Sequence, residues 1–238
     1  SKSQAWVQGK DGAEEWKGVP NGLPVTELSL PEYDNNHNSC IWGYMWGYDW
    51  NSAEKGDNIS KPKTDADFTP LGLMNYSEVC FLKAEAALRG WQGAGDAKTN
   101  YENGIRASFE EMRANAPKDS YSKSNDDKYI SEGNVAWNNA DSFEAKLEKI
   151  ITQKWIGIYP NSEEAWAEFR RTGYPKLNPV KQSMEPTINP ANGEFIKKLR
   201  YVDNELSNNK EYATDPTLNG GQGDGLSVRV WWDTARYK

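Results

Sequence analysis

Histidine and cysteine are almost missing from this chain: one histidine, His37, and two cysteines, Cys40 and Cys80, in 238 residues. Two cysteines without a Cys-x-x-Cys pair make neither a disulfide framework nor a zinc ribbon. Cys80 lies in an apolar helical run, so it reads as a buried free thiol rather than as half of a Cys40–Cys80 bridge. Long apolar runs are lacking as well. No stretch approaches the roughly 20 residues that a membrane-crossing helix requires. The first residues, from Ser1 to Trp6, contain no apolar core of a signal peptide, so the signal of an exported protein would lie outside this sequence. Positive charge is short too. Against 35 Asp and Glu stand 28 Lys and Arg, a net charge of −7, with a sequence pI of about 5.0. That balance argues against tracking a nucleic-acid backbone, which takes clustered cations. It argues equally against docking on an anionic membrane through a polybasic patch.

What the chain has instead is aromatic surface. It carries 11 Trp and 12 Tyr in a composition only 37% hydrophobic, with a mean hydropathy of −0.90. Such a chain is polar yet supplied with the large side chains that fill cores and contact surfaces, which excludes disorder.

Residues 1–74 are rich in Gly, Pro, Asn and aromatics, with no sustained helical period. Val19-Pro20-Asn21-Gly22-Leu23-Pro24 is a turn, and 34–65 reads as a long polar loop of the length that is functional or disordered. Helical character starts near Asn75. Strong helix formers run from Tyr76 to Arg89, with Gly90 as the residue past the end. A second helix follows from about Asp96 to Arg113, with Ala97, Tyr101, Ile105 and Phe109 on one face. Residues 116–139 read as a polar loop. Ser142 or Asp141 can cap a third helix to about Gly157, whose stripe is Leu147, Ile150, Ile151, Lys154, Trp155 and Ile158. Ser162 to Arg171 forms a fourth, with Ala165, Trp166 and Phe169 inward. Each second helix carries a small residue and an aromatic one turn apart, Ala97/Tyr101 and Ala165/Phe169, the way tetratricopeptide-like helix pairs approach and lock. Beyond Pro175 the chain returns to loops. A short helix is expected near Asn204–Tyr212, a glycine turn over Asn219–Gly225, and a short strand over Ser227–Trp232.

Several of these runs, in this order, resemble one family. Met74-Asn-Tyr-Ser-Glu-Val-Cys-Phe-Leu-Lys-Ala-Glu-Ala-Ala-Leu-Arg-Gly-Trp91 is similar to the SusD/RagB helix of the form (T/N)YAE-(V/L)-x-F-(L/I)-K-AEA. Ile150–Tyr159 followed by Glu164–Pro175 resembles the next helix pair, and Val230-Trp-Trp-Asp233 the C-terminal end. Leu199-Arg-Tyr201 with Glu205 and Asn209 resembles a further segment but lacks its Tyr-Pro. The resemblance extends from about residue 17 to 237 and implies the C-terminal half of a protein about twice as long. The implied fold is mainly α, a tetratricopeptide-like α–α superhelix with long irregular loops and a few short strands, in a single SusD-like domain. That domain would comprise an aromatic loop-rich segment (1–74), two helix pairs (75–175) and a loop-rich C-terminal region (176–238). The implied role is that of an outer-membrane, cell-surface binding protein that is not an enzyme. It would capture an oligosaccharide or polysaccharide for a SusC-like TonB-dependent transporter, and meet the membrane only through an N-terminal lipid anchor that this sequence lacks. A tetratricopeptide-type scaffold, or a family member that binds peptides, is the alternative.

The densest chemical feature is Trp42-Gly-Tyr44-Met-Trp46-Gly-Tyr48-Asp-Trp50. In an extended chain its five aromatics fall on one face. Sugar rings stack their C–H faces on such platforms while amides and carboxylates take the hydroxyls, and Asn38, Asp49 and Asn51 flank the run. These eight residues are the expected glycan surface; packing over a helical core is the competing use of the same aromatics. Trp91, Trp155 and Trp166 read as core, one of Trp231 and Trp232 as buried, and Trp6, Trp16 and Trp137 stay unassigned.

Catalytic signatures are weak. There is no Gly-x-Ser-x-Gly elbow for a serine hydrolase, and with 35 acidic residues some carboxylate pair always exists, so the glycosidase pattern discriminates nothing. Asp34-x-Asn36-x-Asn38 begins like a calcium loop, but Ser39 replaces its glycine and Met45 its bidentate glutamate. Gly220–Gly225 lacks the Lys-Ser/Thr of a phosphate loop and reads as a turn. No cofactor is expected.

Overall fold

A computed structural model of the chain describes residues 72–115, 123–180, 183 and 185–233. The described residues are mainly helical and contain no strand. They divide between two compact units, one ending at Ser162 and the other running from Glu163 onward.

The first unit is built on α1 (Tyr76–Leu88), α2 (Ala97–Asn115), α3 (Ser124–Ser131) and α4 (Phe143–Gly157). Both ends of α1 follow the sequence signals: Asn75 is extended at its N-cap, and Gly90 takes the left-handed conformation (φ 77°) that releases the chain. Asp96 caps α2 by accepting from the Thr99 N–H at 2.8 Å and its hydroxyl at 2.7 Å. These two bonds hold the carboxyl of Asp96 below its ordinary pKa. Of the two candidate caps of α4, Ser142 does the work, accepting from the Ala145 N–H at 3.2 Å. Asp141 instead pairs with Lys149 at 2.8 Å.

Helix α1 packs most extensively on α2 and next on α4, and α2 also touches α3 and α4. The α1–α2 pair is antiparallel: Ser77 at the start of α1 donates its hydroxyl to Glu111 near the end of α2 at 2.9 Å. At the centre lies Phe81, 1% exposed. Its ring is so close to Gly104 of α2 that a Cβ there would stand 2.7–2.9 Å from it, and a Cβ on Gly157 of α4 would stand 3.3 Å away. Tyr101 meets Phe81 edge-on at 6.4 Å, and Tyr101, Ile105, Leu147, Ile150 and Ile151 are all buried. Lys154, in the stripe of α4, is buried with them and reaches Glu78 of α1 at 3.7 Å. Cys80 is a buried free thiol.

Helix α3 falls inside the stretch expected to be loop. Its sequence, Ser-Asn-Asp-Asp-Lys-Tyr-Ile-Ser, offers too few apolar residues for a helical period. Partners on α2 hold it instead. Arg113 grips Asp126 with two bonds at 2.9 and 2.6 Å, and Phe109 meets Tyr129 edge-on at 5.3 Å. Two tryptophans expected in the core are outside it. Trp155 is 37% exposed because it flanks the stripe that Lys154 and Ile158 complete, and Trp91 is 67% exposed because it follows the Gly90 turn that ends α1.

The second unit opens with α5 (Ser162–Thr172) and continues through irregular chain with a 3₁₀ turn (Pro190–Asn192) and two short helices, α6 (Asp203–Asn208) and α7 (Lys210–Ala213). A last helical turn, Leu218–Gly221, is interrupted by left-handed Asn219 (φ 52°) and Gly220 (φ 70°), in the glycine turn read from the sequence. Phe169 of α5 is buried and meets Phe195 at 5.1 Å. Trp166 is half-buried rather than core, and donates its indole N–H to the Ile196 carbonyl at 2.8 Å.

The strand expected over Ser227–Trp232 does not form. Among the described residues no partner strand lies beside it, and Asp233 folds the end back by donating its N–H to Val230 at 3.0 Å. A strand is stable only with a neighbour to complete its ladder. The end is held by charge. Asp233 is buried and lies 2.6 Å from Arg229 and 3.5 Å from Lys197. Arg170 of α5 stacks over Trp166 at 3.7 Å and over Trp232 at 4.6 Å. Trp232 is therefore half-buried, whereas Trp231 is 95% exposed.

Two substitutions test this packing by urea unfolding. Gly104→Ala raises helix propensity by about 1 kcal/mol, but its Cβ invades the Phe81 ring; we expect a net loss of about 1–2 kcal/mol from overpacking, partly restored by Phe81→Leu in the same chain. Asp233→Asn leaves the buried Lys197 ammonium without its counter-charge, with an expected loss of about 3 kcal/mol; a loss below about 0.5 kcal/mol would show that the ion pair is not structural.

Candidate functional site

All eight residues expected to form a glycan surface, Asn38, Trp42, Tyr44, Trp46, Tyr48, Asp49, Trp50 and Asn51, lie outside the described residues, as do His37 and the Asp34–Asn38 run. Within the described residues no group of three His, Cys, Asp or Glu side chains could hold a metal ion. No described helix is long and apolar enough to cross a membrane.

The described residues do contain a cleft that the sequence did not point to. It lies within the first unit and has a volume of about 510 Å³, in the range of small-molecule sites. It is lined by Lys98, Glu102 and Arg106 of α2, by Asp127 and Lys128 of α3, and by Trp137 from the loop between α3 and α4.

Each wall is fixed from behind. Lys98, Glu102 and Arg106, spaced by four residues, form one row along α2 beside the buried Tyr101 and Ile105. The loop hangs on three ties. Tyr101 donates its hydroxyl to the Val135 carbonyl at 2.8 Å. Lys149 of α4 donates to the Ala136 carbonyl at 2.6 Å, and Lys146 to the Asn139 carbonyl at 2.7 Å. Trp137 rests against the Tyr101 ring at 5.3 Å, and its indole N–H donates to Asn139 at 3.0 Å. Tyr129 of α3 bonds Gln153 of α4 at 3.1 Å, which fixes the remaining wall.

Charges of both signs line the opening. Arg106 pairs with Asp127 at 2.5 Å and Lys98 with Glu102 at 3.7 Å. These pairs are solvent-exposed to different degrees, Asp127 most of all at 76%, so they hold their positions weakly. Behind them, burial pushes the Tyr101 phenol well above its ordinary pKa of 10.0, with lesser contributions from Tyr129 and Glu102. The sequence carried one unused signal for this cleft: Trp137-Asn138-Asn139 repeats in miniature the aromatic-plus-amide composition of residues 38–51.

The comparisons with known proteins agree with one another. The family model for SusD-like proteins, SusD and RagB outer membrane lipoproteins, matches residues 29–233. A chitin-binding SusD homolog from Flavobacterium johnsoniae is 36% identical, with a TM-score of 0.56, over 68% of this chain and 36% of that protein. A SusD-like protein from Bacteroides thetaiotaomicron is 31% identical, with a TM-score of 0.56, over 74% of this chain and 40% of that one. A SusD homolog from Parabacteroides distasonis is 26% identical, with a TM-score of 0.65, over 98% of this chain and 44% of that one. The chain therefore matches less than half the length of each. No curated relative matches it.

Tyr101 gives a pH test. Its raised pKa means that the folded state keeps the proton after the unfolded chain has lost it, so the stability it contributes is present below pH 10 and declines as pH rises above it. At neutral pH, Tyr101→Phe is expected to cost about 1 kcal/mol through the lost bond to Val135. Above pH 10 the unsubstituted chain should lose stability relative to the variant at up to about 1.4 kcal/mol per pH unit. Parallel stability curves from pH 9 to 11 would contradict this.

With the family model covering residues 29–233 and a relative 36% identical over 68% of this chain, the chain belongs to the SusD-like family of SusD and RagB outer membrane lipoproteins.

Proposed function

We propose that this chain is the C-terminal part of a cell-surface protein that captures a glycan and hands it to a SusC-like TonB-dependent transporter of the outer membrane. It binds its ligand and does not cleave it. Family membership carries this reading, and a relative that is a chitin-binding SusD homolog supports a glycan as the ligand class.

The residues of the capture surface in this reading are the aromatic run and its polar flanks. Trp42, Tyr44, Trp46, Tyr48 and Trp50 offer apolar platforms for the C–H faces of successive sugar rings. Asn38, Asp49 and Asn51 exchange hydrogen bonds with ring hydroxyls, which both donate and accept. In an extended chain such side chains would repeat every two residues, about 6.5–7 Å, a spacing that would suit a polymer better than a single ring. Sole dependence on His37 for imidazole chemistry, and the absence of a recognisable nucleophile motif in the sequence, favour binding over hydrolysis.

Electrophoresis through native gels cast with soluble polysaccharides tests the proposal. At least one glycan should retard the chain. Trp46→Ala and Trp50→Ala should each weaken that retardation by about tenfold to a hundredfold, the scale of a buried aromatic anchor, with no change in melting temperature. Loss of stability together with binding would make these tryptophans packing residues. Failure of every glycan to retard the unsubstituted chain would overturn the assignment of ligand class, and release of reducing sugar would overturn the non-catalytic reading.

A further inference from the structure

We propose that the cleft between α2, α3 and the loop carrying Trp137 is a second saccharide subsite, taking a neutral, hydroxyl-rich ring beside the Trp137 indole. The proposal rests on the reading of the chain as a glycan-binding protein, but on residues separate from the 38–51 run.

Three observations carry it. The first is charge balance at the opening. Lys98, Arg106 and Lys128 line the same cleft as Glu102 and Asp127, with both signs of charge on each helical wall, so an anion meets two carboxylates and a cation meets three positive groups. A ligand made of hydroxyls meets no such conflict, since each hydroxyl can donate to a carboxylate and accept from a guanidinium or ammonium. The planar groups of Arg106 and Asp127 lie 2.5 Å apart, and each can bond two neighbouring hydroxyls at once, as charge-assisted forks do.

The second is the aromatic side chain in the lining. Trp137 is half-buried, packed against Tyr101 at 5.3 Å, flanked by the Lys146 ammonium at 5.9 Å and fixed at its indole N–H by Asn139. An indole with its orientation already set costs a ligand little ordering on binding. The third is that the polar groups are available. The Arg106–Asp127 and Lys98–Glu102 pairs are partly or largely exposed, and exposed pairs of this kind are weak, so hydroxyls can insert without dismantling the fold. The ties that build the cleft, Tyr101 to Val135 and Arg113 to Asp126, lie behind it and are left intact.

The experiment follows the indole N–H resonances of the whole chain by NMR while chitin, starch, xylan and mannan oligosaccharides are added in turn. The Trp137 resonance is the one missing from Trp137→Phe. With one of these oligosaccharides it should shift saturably, and continue to do so in a chain carrying Trp46→Ala and Trp50→Ala. Arg106→Ala with Asp127→Ala, both at exposed positions that leave the fold unchanged, should weaken that response by about tenfold or more. If gels retard the chain through Trp46 and Trp50 while no oligosaccharide moves the Trp137 resonance, the subsite is overturned and the proposed function stands. If nothing is retarded and nothing shifts, both fall. A shift undiminished in Arg106→Ala with Asp127→Ala also overturns the subsite.

Discussion

Everything in the helical first unit depends on one close approach, the Phe81 ring against the bare backbone of Gly104. An aromatic ring one turn into α1 can be buried only if the facing helix offers no side chain there, and glycine is the residue that offers none. Gly157, at the end of α4, makes the second side of the same slot. With the ring seated, α1 lies against both helices. Glu78, one turn earlier on α1, then comes within 3.7 Å of Lys154 on α4. A buried ion pair contributes little net stability but penalises any arrangement that separates its partners, so here it serves to fix which face of α4 meets α1.

The same constraint reaches the surface. Seating Phe81 goes with burial of Tyr101, near the start of α2, where its ring meets Phe81 on one side and Trp137 on another while its hydroxyl holds the Val135 carbonyl. The loop before α4 is thereby fixed, and with it the Trp137 side of the cleft. Lys98, Glu102 and Arg106 form a row of four-residue spacing beside the buried Tyr101 and Ile105, with Lys98 and Arg106 exposed and Glu102 half-exposed. The second unit follows a different logic. It has little helix to bury, and its order comes from a few shielded charges, Arg170 between two indoles and Asp233 beside Lys197 and Arg229. Burial lowers the pKa of Lys197 and of Arg170 from their ordinary values, the mark of cations stripped of water and held by π faces and one carboxylate.

The chain belongs to the SusD-like family, and it carries exposed aromatic surface of a kind that a purely stability-driven sequence would avoid. Trp91, Trp155 and Trp231 are all exposed, so among the described residues tryptophan is not primarily a core residue, and the periodicity argument that placed the first two inside failed for that reason. Apolar character alone does not assign a side to a residue at the border of a helical stripe. Position relative to Ile151, Lys154 and Ile158 does, and for Trp155 that position is the rim.

The sequence by itself determined the four longer helices, the cap at Asp96, the left-handed exit at Gly90, the buried thiol of Cys80 and the family, because each of these depends on local propensity, spacing or a contiguous motif; for the cap of α4 it offered Ser142 or Asp141, and the structure chose Ser142. Tertiary structure alone decided the rest. Helix α3 exists because Arg113 and Phe109 of α2 hold Asp126 and Tyr129, not because its own residues favour a helix. The C-terminal end is bent rather than extended because no strand lies beside it among the described residues and Asp233 is drawn to Lys197 and Arg229. The cleft is assembled from residues up to 39 positions apart, Lys98 to Trp137, and no local pattern encodes a meeting that long-range packing has to arrange.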